Sequence, residues 1–147
     1  MIVARPFSPT DIPGVMSVVK SSLGETYPPS LYLTVHNLWG EGFITVSDGS
    51  EIIGFVAAVP TGEKSARILM LAVSPEHRNE GLGQMLMRAL YASALARGYG
   101  SIVLEVRKSN REAISFYELQ GFVLFGEIEN FYSNGEGAFK FMKTLGS

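Results

Sequence analysis

The stretch VSPEHRNEGLGQMLMRAL, residues Val73 to Leu90, changes character at its centre. A short apolar strand ends at Val73 and a polar turn follows. Then come two glycines one residue apart, Gly81 and Gly83, and an apolar pattern with helical spacing. Glycine is a poor helix former, so its use at a helix start needs a reason. The simplest reason is that something approaches the backbone there, where a Cβ would obstruct it.

Outward from this point, the chain alternates strand and helix signals. Downstream, Leu82, Leu86, Ala89, Leu90 and Ala94 mark one face of a helix that ends at Gly98. SIVLEVR then reads as a strand. SNREAISFYELQG reads as a helix, with Ser109 and Glu112 as a capping box and Gly121 as the stop. FVLFGEI and AFKFMKTL are the last two strands. Upstream, ARILMLAV is apolar on both faces, which predicts a central strand. GFITVSDGSEIIGFVAAVP predicts two strands turning at Asp48–Gly49. LYLTVHNLW predicts a helix. SPTDIPGVMSVVKSSL predicts another, with Ser8 as N-cap, Pro9 in the first turn and Asp11 three after the cap. IVAR is a first strand. The order β-α-α-β-β-β-α-β-α-β-β predicts an α/β fold with a mixed sheet flanked by helices, one domain over residues 1–147.

Bulk composition narrows the function classes. Apolar residues make up 46% and charged residues 18%, which suits a folded core. A net charge of −2 gives no basic field for nucleic acid or an anionic membrane surface. The apolar runs are too short to span a bilayer, and the N-terminus lacks a signal-peptide core. A cytoplasmic protein is expected. There is no cysteine, which removes disulfides, thiolate metal sites and a cysteine nucleophile together. With only His36 and His77, a histidine metal site is not expected.

The backbone N–H groups of residues 79 to 84 would be the free donors at the start of the glycine helix, where the helix dipole is positive. That suits a pyrophosphate. The segment is not a Walker A loop, and Leu86 stands where a dinucleotide fingerprint needs its third small residue. On the turn alone, a plain strand-to-helix connection explains it equally well. Glu105 is the second candidate. Val103, Glu105 and Arg107 share one face of their strand, opposite Ile102, Leu104 and Val106. A carboxylate within so apolar a strand would be desolvated, a state that suits a general base. A salt bridge with a neighbour such as Arg107, or an exposed strand face, explains it too.

R-x-x-G-x-G after LAV-x-P resembles the signature of the Gcn5-related N-acetyltransferase superfamily, and LEVRKSNREAISFYELQGF resembles its second signature. The chain is most similar to the bacterial ribosomal-protein-alanine N-acetyltransferases and the archaeal and eukaryotic N-terminal acetyltransferases. RPFSPTDIPGVM and NFYSNGEGAFKFM fit as well, so the resemblance runs over nearly the whole chain.

The resemblance implies the fold of that superfamily and acetyl transfer from acetyl-CoA to an amine, with no metal. It implies that Leu71, Ala72 and Val73 pair with the pantetheine arm, and that Arg78, Asn79, Glu80, Gly81, Leu82, Gly83 and Gln84 hold the pyrophosphate. Glu105 would be the general base. Tyr117, two helical turns beyond Asn110, would be the general acid near the thioester sulfur, although a core aromatic beside Phe116 is the alternative. Asn110 would bond the coenzyme arm or simply cap its helix. Glu25 and Tyr27 match the family's L-P-E-N-Y-P segment, from which Gly24 and Thr26 depart. Tyr132 matches the second tyrosine of its N-Y-Y loop, with Phe131 in place of the first. These three residues would line the peptide entrance. Gly137 stands where the family reads Asp in G-E-D-A. Arg67, Leu69 and Met70 stand where some relatives carry a second base.

The implied acceptor is a protein or peptide N-terminus. An α-amino group is neutral in roughly one molecule in seven at pH 7, and a lysine in about one in 2,500. A single modest base suits the former. A small-molecule amine, a lysine side chain and a non-catalytic acetyl-CoA-binding module are the other readings. The resemblance leaves open a homodimer or a ribosome-associated partner.

Overall fold

The computed structural model describes residues 1–146; Ser147, the last residue of the expected single domain, lies outside the described residues. The elements are β1 (Ile2–Pro6), α1 (Ile12–Leu23), α2 (Pro29–Leu38), β2 (Phe43–Asp48), β3 (Glu51–Thr61), β4 (Ser65–Val73), α3 (Leu82–Arg97), β5 (Ser101–Arg107), α4 (Arg111–Leu119), β6 (Val123–Ile128) and β7 (Ala138–Thr144). Their order is the one read from the sequence. One sheet holds all seven strands in the order β1-β2-β3-β4-β5-β7-β6. Every neighbouring pair is antiparallel except β4 and β5. α3 is the connection that parallel neighbours require.

The two faces of the sheet carry separate cores. On one face α3 buries Leu82, Leu86, Met87, Leu90 and Ala94 against Ile44, Val56, Ile68, Ile102 and Leu104. Tyr117 and Phe122, from α4 and the turn after it, extend this core. On the other face Val15, Val18 and Val19 of α1 and Tyr32 and Val35 of α2 cover Phe43, Phe55, Ala57 and Ala72. Burying a Leu or Val side chain fully contributes about 1.5–3 kcal/mol. These two apolar layers therefore fix the sheet between its helices.

β4 changes phase within its length. Ala57 of β3 faces Met70 while Ala58 faces Ile68, so Leu69 is an extra residue, a β-bulge. Before it, Ala66 and Ile68 face the α3 core; after it, Leu71 and Val73 do, and Met70 and Ala72 face the other side. At the far edge, β6 exposes Val123, Leu124 and Phe125. Leu124 pairs with Phe141 and Gly126 with Lys140, so Phe125 is also a bulge.

A 3-10 turn, Pro9–Asp11, capped at Ser8, leads into α1 and is pinned electrostatically. Arg5 donates to both Asp11 oxygens at 2.8 Å, and the Ser8 N–H donates to Asp11 Oδ2 at 2.8 Å. Arg5 first, with the Ser8 N–H, holds the buried Asp11 carboxyl below the usual range. Because the folded value is the lower one, this contribution is complete at neutral pH. It fades as pH falls below the unfolded value of about 3.9 and is lost beneath the folded one. Asp11→Asn should lower Tm at pH 7 by about 2–6 °C. The gap from wild type, followed by calorimetry, should close as the pH is lowered through the carboxylate range. A gap independent of pH would assign the effect to shape alone.

Candidate active site

The site starts where the sheet comes apart. β4 and β5 pair only from Ser65 opposite Ser101 to Arg67 opposite Val103, and beyond that they diverge. The Ser74 N–H donates to the Ile53 carbonyl at 2.8 Å. By the alternation of an antiparallel ladder, Leu71 and Val73, opposite Val56 and Gly54, turn their N–H and C=O groups away from β3 and into the fork. Such an edge recognises an extended, amide-bearing arm.

A groove of about 770 Å³ runs from the fork to the start of α3 and along α4. Leu71–Val73, Arg78, Asn79, Gly81–Gln84, Asn110 and Tyr117 all line it. Among the residues expected at the coenzyme, Glu80 alone does not. Its carboxylate turns to His77, with Oε1 3.3 Å from Nδ1. Asn79 at φ 65° and Gly81 at φ 79° bend the backbone into the left-handed region ahead of the helix. The Met85 N–H donates to the Gly81 carbonyl at 3.1 Å and opens the helical ladder. Among the described residues no acceptor meets the N–H groups of residues 79 to 84. These donors, with the exposed Arg78, fit a pyrophosphate.

The two glycines have different reasons. At Gly81 a Cβ would meet nothing within 4 Å, and it is the positive φ that favours glycine. At Gly83 a Cβ would stand 3.2 Å from Phe116 Cε1. The missing side chain there lets the first turn of α3 pack closely on α4. The close approach expected at the glycine pair is therefore, at Gly83, that of Phe116. Phe116, Ser22 and Gln120 also line the groove and were missed in the sequence reading. Phe116 carried a signal, its place beside Tyr117.

The cap of α4 also differs from expectation. Asn110 is the N-cap, its Oδ1 accepting from the Ala113 N–H at 3.1 Å, so no Ser109–Glu112 box forms. The Ser109 N–H goes to Glu136 instead, at 3.0 Å. Tyr117 is 8% exposed, edge-on to Phe116 and Phe122 with ring centroids 5.3 and 5.4 Å away. Core packing and groove lining were set against each other in the sequence; Tyr117 does both. Burial, with Tyr91 adding to it, raises its phenol well above the usual value, so it is an O–H donor at neutral pH.

Glu105 lies on the opposite face of β5 from Leu104 and Val106, toward α1 and α2. It is not a lone desolvated carboxylate. Arg67 Nε and Nη2 reach its Oε1 at 2.9 and 2.7 Å, across the crotch of the fork. The anticipated neighbour, Arg107, pairs with Glu136 at 3.2 Å. Among the described residues Oε2 of Glu105 has no hydrogen-bond partner. On this face the Tyr27 hydroxyl donates to Glu25, a bond that, with burial, pushes the phenol up to about 12. Burial first raises Tyr132, whose hydroxyl feels Arg107, Glu105, Glu136 and Arg67. Arg107 also bears on Tyr27. The residues expected at the acceptor thus gather beyond the fork, away from the groove. The His36 ring packs edge-on against Phe7, with centroids 5.3 Å apart. Among the described residues no cluster suits a metal ion, and no helix is long and apolar enough to cross a membrane.

Residues 12–122 match the model of the acetyltransferase (GNAT) family. The chain is 28% identical to N-alpha-acetyltransferase 30 of Schizosaccharomyces pombe, over 97% of each chain. It is 28% identical to the N-terminal acetyltransferase B complex catalytic subunit NAA20 of Arabidopsis thaliana, over 99% of this chain and 86% of that one. The crystal structure of Ard1 from Thermoplasma volcanium superposes with a TM-score of 0.94 at 34% identity, over 99% of both chains. With the family model spanning most of its length, the chain belongs to the acetyltransferase (GNAT) family.

Proposed function

We propose that this single domain transfers the acetyl group of acetyl-CoA to the free N-terminal amine of proteins, by direct attack in a ternary complex. The observation that carries the reading is the fork. It opens on one face to the donor groove and on the other to Glu105 and the two tyrosine-bearing loops. Donor and acceptor then approach from opposite faces and meet between the strands. The relatives named as N-terminal acetyltransferases support the choice of acceptor.

Leu71 and Val73 would hold the pantetheine arm, and residues 79–84 with Arg78 the pyrophosphate. Glu105 would take the proton from the incoming ammonium through Oε2, directly or by way of a water, while Arg67 fixes Oε1. Tyr117 would donate a hydrogen bond to the sulfur as it gains charge. Its phenol is raised above its usual value of about 10, and a thiol lies near 8.5, so full proton transfer would be uphill and hydrogen bonding is the favoured role. Glu25, Tyr27 and Tyr132 would line the peptide entrance. A second copy of the chain or a ribosome-bound partner is compatible with this use.

Three outcomes test these roles. Glu105→Gln should lower kcat by about 10²–10⁴-fold in steady-state assays on N-terminal peptides; near-full kcat would make Glu105 a structural residue. Tyr117→Phe should lower kcat and leave acetyl-CoA binding within about threefold, since the ring and its packing remain. Arg78→Ala should weaken CoA about tenfold and flatten the salt dependence of its Kd. An unchanged salt slope in calorimetric titrations would remove Arg78 from the phosphate site. A panel differing in the first two residues, run beside small amines and lysine peptides, tests the acceptor class itself.

A further inference from the structure

Arg107 ends β5 on the face that carries Glu105. Its guanidinium lies over the Tyr132 ring, with Cζ 3.9 Å from the centroid. Its Nη1 donates to Glu136 Oε1 at 3.2 Å and to Asn134 Oδ1 at 3.3 Å. The other Glu136 oxygen, Oε2, accepts from the Ser109 N–H at 3.0 Å. Ser109 directly precedes Asn110, the cap of α4, and α4 walls the donor groove. One carboxylate therefore joins the loop over the acceptor side to the turn that opens the donor-side helix.

Among the described residues few other hydrogen bonds tie the loop between β6 and β7 to the rest of the fold. Most of it is exposed, and Asn130 and Gly135 sit at φ 54° and 88°. The Tyr132 N–H donates to the Glu136 carbonyl at 3.0 Å and the Gly135 N–H to the Tyr132 carbonyl at 2.8 Å, which closes the loop on itself. The Lys108 N–H donates to the Gly137 carbonyl at 3.2 Å. Arg107 and Glu136 provide the side-chain anchorage. Ser109 first, then Arg107, holds the Glu136 carboxyl below its ordinary range, so it stays charged at neutral pH.

We propose that Arg107 and Glu136 form a latch, two positioning residues that fix Tyr132 at the acceptor entrance and register it against the start of α4. This rests on the N-terminal acceptor reading, because it takes Tyr132 to meet the peptide. A loop ordered in advance does not have to be ordered by the substrate, so losing the latch appears as weaker acceptor binding. A lysine keeps the charge of Arg107 and loses its planar stacking and forked donors.

The test uses the full chain with Arg107→Met, Arg107→Lys and Glu136→Ala. Amide hydrogen exchange in the ligand-free protein reads the loop without any substrate. The Tyr132 and Gly135 amides should exchange at least about tenfold faster in Arg107→Met and Glu136→Ala, with α3 amides unchanged and Arg107→Lys in between. With an N-terminal peptide, KM should rise about tenfold while kcat and the acetyl-CoA KM stay within about threefold. Arg107→Met should add little on top of Tyr132→Leu, because it acts through that ring. Unchanged loop exchange overturns the latch, whatever the acceptor is. Faster exchange with an unchanged peptide KM overturns its role in acceptor binding. Faster exchange in a protein whose wild type acetylates no peptide overturns the N-terminal reading and leaves the hold on the loop intact.

Discussion

The parting of β4 from β5 after three residue pairs is the constraint on which the site depends. A continuous parallel ladder would consume the N–H and C=O groups of Leu71 and Val73 and close the path between the two faces. The Leu69 bulge changes the phase of β4 as the parting begins. Arg67 and Glu105 tie the strands together at the crotch, where side chains take over from backbone pairing. Glu105 is well covered and Arg67 is partly open to water, so the pair is placed to hold geometry as much as to add stability.

Helices pack on both faces of the sheet around the fork. α3 lies across β1 to β4 on one face, where Ile102, Leu104 and Val106 of β5 join its core, and α1 and α2 cover β2, β3 and β4 on the other, so the β4 arm is packed on both faces. Gly83 then brings α3 against Phe116, and Phe116 and Tyr117 form the groove's second wall. The groove is thus a gap between packed elements, and at Gly83 the missing Cβ lets α3 and Phe116 of α4 come close.

The order of elements was legible because periodicity and punctuation agreed. Ser8, Pro9 and Asp11 marked a helix start, Asp48–Gly49 a hairpin, and ARILMLAV a strand covered on both faces. The bulge was hidden for a physical reason: Ile68, Leu69 and Met70 are all apolar, so a phase change leaves no trace in the pattern. The partner of Glu105 was hidden by distance along the chain, since Arg67 lies on another strand while Arg107 is a near neighbour. The cap of α4 was ambiguous because Ser109 and Asn110 are both good caps and only tertiary contact with Glu136 decides between them. The glycine turn was recognised, but the neighbour of Gly83 could not be read from a local pattern.

The outer edge of the sheet bears on how the protein behaves in concentrated solution. β6 presents three consecutive apolar residues, Val123 to Phe125, on a strand with one side unpaired, and a net charge of −2 offers little colloidal repulsion. A regular strand of this composition would template the addition of another chain. The bulge at Phe125 interrupts the even spacing of donors and acceptors that such growth requires, and Lys140 sits 4.9 Å from the Phe125 ring centroid. What guards this edge against strand addition is backbone irregularity and one flanking cation, and a substitution that straightened β6 would erode solubility while leaving the parting of β4 and β5 untouched.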